Sequence, residues 1–310
     1  MTRLKKTITL FSTLLYRTLF FSLFLIFIQK PAFAQCLNDS TKTEELKVLS
    51  WNIYMLPHFW IHTGQLERAK NIVNSLKNED VDIIVFQEAF DNTSRKIIWD
   101  GLKDKFPFQS GNPTKNVSWK TSNGIWIISK TPLHLVKTIY FNESEGMDRF
   151  ACKGAILIEA EKNNVCYQLI GTHLQSDLNH DVSKTRSSQY HQIKTELLEP
   201  FKKKNVPQIV VGDFNTIKDD MVNFQLMLNT MNVNDLPMHG ELCYSYDNST
   251  NDIIMDQKCS PQLIDYILFC NDGERKITGQ TSVKVFRNKW DENHSDLSDH
   301  FAIAAVIKIL

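Results

Sequence analysis

The sequence predicts an α/β (α+β) fold in which two mixed or mostly antiparallel β-sheets pack face to face with helices outside. Three observations lead there. Eight apolar runs rich in Ile, Val and aromatic residues recur along the 310 residues, as strands of a layered protein do. Some runs follow one another at hairpin spacing, such as 153–160 and 165–174, while others are separated by stretches of helical length. The alternation is too irregular for a doubly wound parallel sheet.

The leader comes first. Arg3, Lys5 and Lys6 precede the apolar run "TLFFSLFLIFI" at 18–28, and "PAFAQ" follows with Ala32 and Ala34. A basic start, a short apolar run and small residues at a cleavage site describe a signal peptide over residues 1–34. The alternative is a membrane anchor, but the run is short for a span of ~20 residues and Arg17 interrupts a longer one. Residues 35–45 are a lead-in, and 46–310 are expected to form a single catalytic domain. The expected location is therefore secreted or periplasmic.

The strand candidates are "LKVLSWNIYML", "VDIIVFQEAF", "SNGIWIISK", "KGAILIEAE", "VCYQLIGTHLQ", "PQIVVGDFN", "QLIDYILFC" and "HFAIAAVIKIL". Between them, residues 64–79 place Leu66, Ala69, Val73 and Leu76 on one helical face. Residues 94–105 and 181–204 read as helices in the same way, the second with a stripe of Val182, Tyr190, Ile193 and Leu197.

Several strands break their own apolar pattern near an end. "IVVGDFN" closes on Asp213 and Asn215, "IIVFQEAF" holds Gln87 and Glu88, and "LSWNIYML" holds Asn52. "LIGTHLQ" holds His173, "LIDYIL" holds Asp265, and "LSDHFAIAAV" opens with Asp299 and His300. Each residue has a structural reading of its own: Asn52 as a satisfied core amide, Glu88 in a cap or salt bridge, Asp213 and Asn215 as turn formers, His173 as a core histidine, Asp265 as a loop cap. Taken together, acids, amides and imidazoles gathered at strand ends point to one site, because a buried carboxylate needs a cation or dense hydrogen bonding.

Metal-assisted attack of water on a phosphodiester suits this set. A hard cation such as Mg²⁺ takes oxygen ligands and keeps several waters, and Glu88 with Asn52 can hold it. His300 is the candidate general base, oriented by Asp265 and supported by Asp299. His173 can donate a hydrogen bond to the phosphoryl oxygens or protonate the leaving group. Asp213 and Asn215 can position the phosphate and the attacking water.

The blocks "WNIYMLP", "QEAF", "GTHLQ", "GDFN", "IDYI" and "SDH", in that order, resemble the endonuclease/exonuclease/phosphatase superfamily over residues 46–310. Within it, "NIYMLP", "GQLERA", "QEAFDNTSRKIIWDGLKDKFPFQS", "DRFACKGAI" and "GTHLQSD" resemble the secreted bacterial neutral sphingomyelinases (sphingomyelinase C). The resemblance implies a four-layer sandwich with helices outside two central sheets. It implies Mg²⁺-dependent hydrolysis of sphingomyelin to ceramide and phosphocholine, with Mn²⁺ or Co²⁺ able to substitute. Family roles carry onto Asn52, Glu88, His173, Asp213, Asn215, Asp299 and His300, and from the wider superfamily onto Asp265. Haemolytic members carry a hydrophobic hairpin before the final Asp-His. Here 281–298 reads "TSVKVFRNKWDENHSDLS", where charges surround Phe286 and Trp290. Phe59, Trp60 and Ile61 are a second candidate lipid contact, alongside a reading in which they pack beneath a loop. Phe90, Trp119 and Tyr140 are candidates for a choline-facing aromatic.

Composition constrains the partners. The whole chain has no net charge, and the leader holds five basic residues and no acids, so the remainder carries 30 basic against 35 acidic residues, a net charge of −5. A mildly acidic protein lacks the broad basic footprint of a nucleic-acid binder. The expected partner is a sphingomyelin-containing membrane surface, with no stable nucleic-acid partner and a monomeric state. The rivals are a secreted deoxyribonuclease with the same catalytic set and a non-catalytic lipid-binding relative. A phosphoinositide phosphatase would want a basic pocket, and none is legible beside "GDFN". All six cysteines follow the leader. Export permits disulfides; Cys243 and Cys259 are the favoured pair, whereas Cys152 and Cys166 fall out of register across the expected hairpin.

Overall fold

In the computed structural model, residues 44–57, 61–111, 121–254, 260–270 and 276–309 are described. The expected leader, Phe59, Trp60, Trp119 and Cys259 lie outside them. Two six-stranded sheets face each other. The first has the order β11-β12-β1-β2-β4-β3, with β1 (Glu44–Met55), β2 (Ile83–Ala89), β3 (Phe108–Gln109), β4 (Trp126–Ser129), β11 (Ile277–Lys284) and β12 (Ala302–Ile309). The second has the order β5-β6-β7-β8-β10-β9, with β5 (Leu133–Tyr140), β6 (Gly154–Lys162), β7 (Val165–His173), β8 (Gln208–Asp213), β9 (Val233–Asp235) and β10 (Asp265–Cys270). Both sheets are mixed: β1–β2 and β7–β8 run parallel, and the other pairs are antiparallel.

Alternation along the strands explains the layering. Side chains two apart share a face, so Val48, Ile83, Val85 and Ile127 of the first sheet meet Ile156, Ile158, Leu169 and Val211 of the second in one buried core. The opposite face of the first sheet, with Leu49, Trp51, Ile84 and Phe86, packs on helices α1 (Gln65–Leu76) and α2 (Asn92–Leu102) through Ala69, Ile72, Leu76, Ile98 and Leu102. The outer face of the second sheet takes Tyr190 and Ile193 of α3 (Ser183–Ile193), Leu197 of the π turn that follows it, and Phe224 and Met227 of α4 (Met221–Met231). The result is a four-layer sandwich. Among the described residues, no helix is long and apolar enough to cross a membrane.

All eight expected strands are present. Four further strands, β3, β5, β9 and β11, join them at or toward the sheet edges. Their apolar content is diluted because edge strands bury less: β5 is largely exposed or half-buried along its length. Helix α4 was likewise absent from the sequence reading. The β6–β7 hairpin turns at Asn163 and Asn164, both with positive φ (51° and 65°), as a tight hairpin turn demands. The hairpin is tighter than a turn at 161–164 would make it, with Lys162 opposite Val165. Cys166 stands opposite Glu161 and Cys152 precedes β6, so the two cysteines do not face each other, as expected. The Cys243–Cys259 expectation does not hold, because Cys243 is an exposed free thiol on an irregular segment.

Candidate active site

The strand register collects the polar residues. On the second sheet His173 pairs with Asp213 across β7–β8, and Asp213 pairs with Asp265 across β8–β10. Three adjacent strands therefore deliver an imidazole and two carboxylates to one edge. The close approach of β7 and β8 depends on Gly212: a Cβ there would lie 2.0 Å from the carbonyl oxygen of Thr172. On the first sheet Asn52 pairs with Gln87, next to Glu88, at a bulge between Asn52 and Met55. Tyr54, Glu88 and Asn215 all hold positive φ, at 49°, 52° and 50°. Non-glycine residues in that region are uncommon, and they cluster at functional sites.

Asp213 is the hub. Its Oδ2 accepts from Asn52 Nδ2 over 3.1 Å and lies 3.5 Å from His173 Nε2 and 3.8 Å from His300 Nε2. Its Oδ1 accepts from the backbone N–H of Asn215 (2.9 Å), while Asn215 Nδ2 donates to the Leu174 carbonyl (3.2 Å). Asn52 Nδ2 also reaches Glu88 Oε1 (3.3 Å), and Asn52 Oδ1 accepts from Tyr54 N. His300 Nδ1 bonds Asp265 Oδ2 at 2.8 Å. Asp299 accepts from Ser298 Oγ, which also donates to the Asn52 carbonyl. Phe90 lines the same cleft as Glu88 and His173. The structure thus gathers Asn52, Glu88, His173, Asp213, Asn215, Asp265, Asp299 and His300, with Phe90 beside them.

Burial sets the charge states. Desolvation, reinforced by the Asp299 charge, pushes the Glu88 carboxyl up to about 7. Burial, followed by the Lys153 and His300 charges and opposed by Asp213, pushes His173 down to about 3. Burial also lowers His300, but the carboxylates of Asp265, Asp213 and Asp299 outweigh it and hold the imidazolium well above the ordinary histidine range. Burial raises Asp299 as well, against the pull of His300 and Arg68.

The fit to a divalent cation can be judged from these atoms. Glu88 Oε2 is buried with no hydrogen-bond partner among the described residues. An orphaned carboxylate oxygen of this kind, in an oxygen-rich setting with strong proton affinity, is what a hard cation relieves. Asp213, Asp265 and His300 also place ligand atoms within 4.8 Å of one another. There, however, His300 Nδ1 and Asp265 Oδ2 already satisfy each other, so that trio is better described as an oriented histidine with two carboxylates. Glu88, with Asp213 beside it, is the better cation cradle. Asn52 turns its Nδ2 toward both carboxylates and its Oδ1 to Tyr54 N, so it would ligate through Oδ1 with the amide rotated.

Two residues were missed in the sequence. Lys153, 4% exposed, sends its ammonium group to Asp148 Oδ2 (2.8 Å), the Leu174 carbonyl (2.8 Å) and His173 Nε2 (3.1 Å). All three of its protons are engaged, so it positions His173. It also fixes the tautomer, since a protonated amine facing Nε2 leaves the ring proton on Nδ1. Arg68 is fully buried on α1 and donates to the carbonyls of Ile53, Tyr54, Thr63 and Leu297, tying the segments beside Asn52 and Asp299 together. A lysine just before an apolar strand in "DRFACKGAI" was the available signal for Lys153. For Arg68, between Leu66 and Ala69 in the chain, the sequence offers no such signal.

Phe286 and Trp290 do not form an exposed tip. Phe286 packs on Trp51 with ring centroids 4.8 Å apart, and Trp290 donates to the Asp296 carbonyl and stacks on His294.

A family model for the Endonuclease/Exonuclease/phosphatase family matches residues 49–300. The chain belongs to that family. Among relatives of this family member, a protein named sphingomyelinase C 2 from Leptospira interrogans is 31% identical over 85% of this chain. The chain spans only 46% of that relative's length. A phospholipase C from Staphylococcus aureus is 30% identical over 85% of this chain and 88% of its own. A Staphylococcus aureus beta toxin structure with bound magnesium ions superposes with a TM-score of 0.76 at 26% identity, covering 84% of this chain and 99% of the other. Sphingomyelinase C from Streptomyces griseocarneus, at 22% identity and a TM-score of 0.75, covers 85% of this chain and 99% of its own and shares the fold.

Proposed function

We propose that this protein is a secreted phosphoric diester hydrolase of the phospholipase C type, dependent on Mg²⁺, that cleaves sphingomyelin to ceramide and phosphocholine. The observation that carries the reading is the arrangement around Asp213, which brings Asn52, His173, His300 and, through Asn52, Glu88 into one cleft. The names of the Leptospira and Staphylococcus relatives support the lipid phosphodiester, and the magnesium-bound beta toxin supports the metal. Secretion rests on the leader of residues 1–34.

Glu88 and Asn52, with Asp213 beside them, would hold the cation. When bound, it supplies positive charge that offsets the surrounding carboxylates and stabilises charge on the phosphate and the departing oxygen. The carboxylates hold His300 as the imidazolium. With the cation's charge offsetting them, His300 would give up that proton and in its neutral form take the proton of the attacking water at Nε2. Asp265 fixes the ring through Nδ1 and stabilises the imidazolium that results. Asp213 and Asn215 orient the water and the phosphate. His173, neutral at physiological pH with Nε2 accepting from Lys153, is not poised as the acid; it carries the Lys153 charge toward the phosphate side of the site.

The test is a side-by-side assay on sphingomyelin vesicles, phosphatidylcholine vesicles and plasmid DNA, each with Mg²⁺ and with chelator. Mg²⁺-dependent release of phosphocholine from sphingomyelin is the expected result. Plasmid cleavage at comparable efficiency would overturn the substrate.

A further inference from the structure

We propose that Met147 and Phe150 of the short 3-10 segment Gly146–Phe150, together with Ile61, form the surface by which this protein docks on a choline-phospholipid bilayer. The proposal rests on the function given above. Side chains three apart eclipse in a 3-10 turn, so Met147 and Phe150 project to the same side of the segment. Met147 is 78% exposed, Phe150 47% and Ile61 45%. Arg149 stands between the first two and is also exposed.

The cleft beside this apolar edge selects the occupant. Met147, Phe150 and Ile61 border a cavity of about 310 Å³ whose other walls include Phe90, Glu88 and His173. One ligand must therefore satisfy a charged, imidazole-bearing floor and an apolar rim together. A phospholipid does so when its headgroup reaches the floor while its chains stay in the lipid layer. Arg149, exposed between Met147 and Phe150 with its Nε bonded to the Ser144 carbonyl, adds a cation that can meet lipid phosphates. A polyanion such as DNA has no use for the methionine and phenylalanine.

The platform is anchored from behind. Asp148 accepts from Ser176 N and Oγ (2.8 and 3.0 Å) and pairs with Lys153 (2.8 Å), and the Phe150 carbonyl accepts from Thr121 N (3.1 Å). Little ordering cost therefore remains when the rim meets a membrane. The aromatic residues before the final Asp-His cannot take this role, because Phe286 packs on Trp51 and Trp290 lies against Gly64.

The experiment compares wild type with the double variant Met147→Ser/Phe150→Ser in two measurements. The first is partition onto vesicles of sphingomyelin and phosphatidylcholine, followed by sedimentation in chelator so that no turnover occurs. The second is Mg²⁺-dependent hydrolysis of a water-soluble aryl phosphocholine. We expect partition to weaken by about tenfold or more, since interfacial binding scales with buried apolar area, while soluble turnover stays within about twofold of wild type. Unchanged partition would overturn the docking surface. So would a parallel loss in both measurements, which would place these side chains in the chemistry or the folding of the cleft. A wild type that partitions through these residues but cleaves neither sphingomyelin nor the soluble diester would refute the proposed substrate and leave the docking surface standing.

Discussion

Asn52 Nδ2 donates to Asp213 Oδ2 across 3.1 Å, and this hydrogen bond joins the two sheets at the mouth of the sandwich. Asn52 belongs to β1 of the first sheet and Asp213 to β8 of the second. The metal cradle and the histidine apparatus therefore come from different sheets, and the packing between the sheets sets their spacing. A rate that depends on sub-ångström placement then depends on the whole apolar interlayer.

Removing charge from the cradle separates chemistry from folding. Glu88→Gln keeps the shape and the Asn52 contact. It should abolish Mg²⁺ binding in titration calorimetry and lower turnover by about 10³-fold, the scale expected when a main electrostatic element is lost. Its thermal midpoint should equal or exceed that of the wild type, because Glu88 is buried with an orphaned oxygen. Wild-type turnover in this variant would refute the cradle.

Metal affinity should depend on pH in a defined direction. Burial and Asp299 push Glu88 up to about 7, and a cation competes with that proton. Below this value the site is protonated and affinity falls with falling pH. Above it, affinity levels off. Calorimetry in buffers of different ionisation enthalpy should report proton release on Mg²⁺ binding near pH 6 and little near pH 9. Equal release at both would contradict the assignment.

His300 and Asp265 should behave as a unit. His300→Ala should lower turnover by about 10²- to 10⁴-fold. Asp265→Asn should produce a comparable loss, because the ring would lose both its orientation and its partner for the imidazolium. Adding the second substitution to the first should then cost little more. A double variant whose losses simply multiply would show that the two residues act separately.

Lys153→Met tests positioning. Removing the ammonium group deletes the hydrogen bond to His173 and one of the charges that lower its pKa, after burial itself. The His173 pKa should therefore rise from about 3 toward the ordinary histidine value, visible by NMR titration of the ring carbons. Turnover should fall by about tenfold to a hundredfold, and Lys153→Arg should restore part of it. A residue with a purely structural role would leave the His173 titration where it is.

Trp290→Ala should lower stability by about 2 kcal/mol, somewhat less than a fully buried tryptophan, and leave vesicle partition unchanged. The ring covers Gly64, the residue before α1, where a Cβ would come within 2.2 Å of it. Thermal unfolding and vesicle sedimentation on the same preparation give both readings.

Much of the fold was legible because burial leaves a period in the sequence. The eight strongest strands are buried on one or both faces, so their residues had to be apolar. The strands that escaped notice, β5 and β11 among them, carry mixed residues because they lie near sheet edges. The site was legible as a set of exceptions: Asn52, Glu88, His173, Asp213, Asp265 and His300 each interrupt or end an apolar run, and only a shared purpose makes that tolerable. Chemistry and order along the chain were sufficient to name them.

Distances, charge states and directions of exposure had to wait for the tertiary structure. That Lys153 serves His173, that Arg68 faces inward, and that Phe286 and Trp290 point into the molecule while Met147 and Phe150 point out are facts about which surfaces meet. Residue type alone does not encode them, because a lysine, an arginine or a tryptophan is at home on either side of a protein's surface. Local sequence records what each strand must bury. The packing of two sheets decides which side chains end up sharing a cleft.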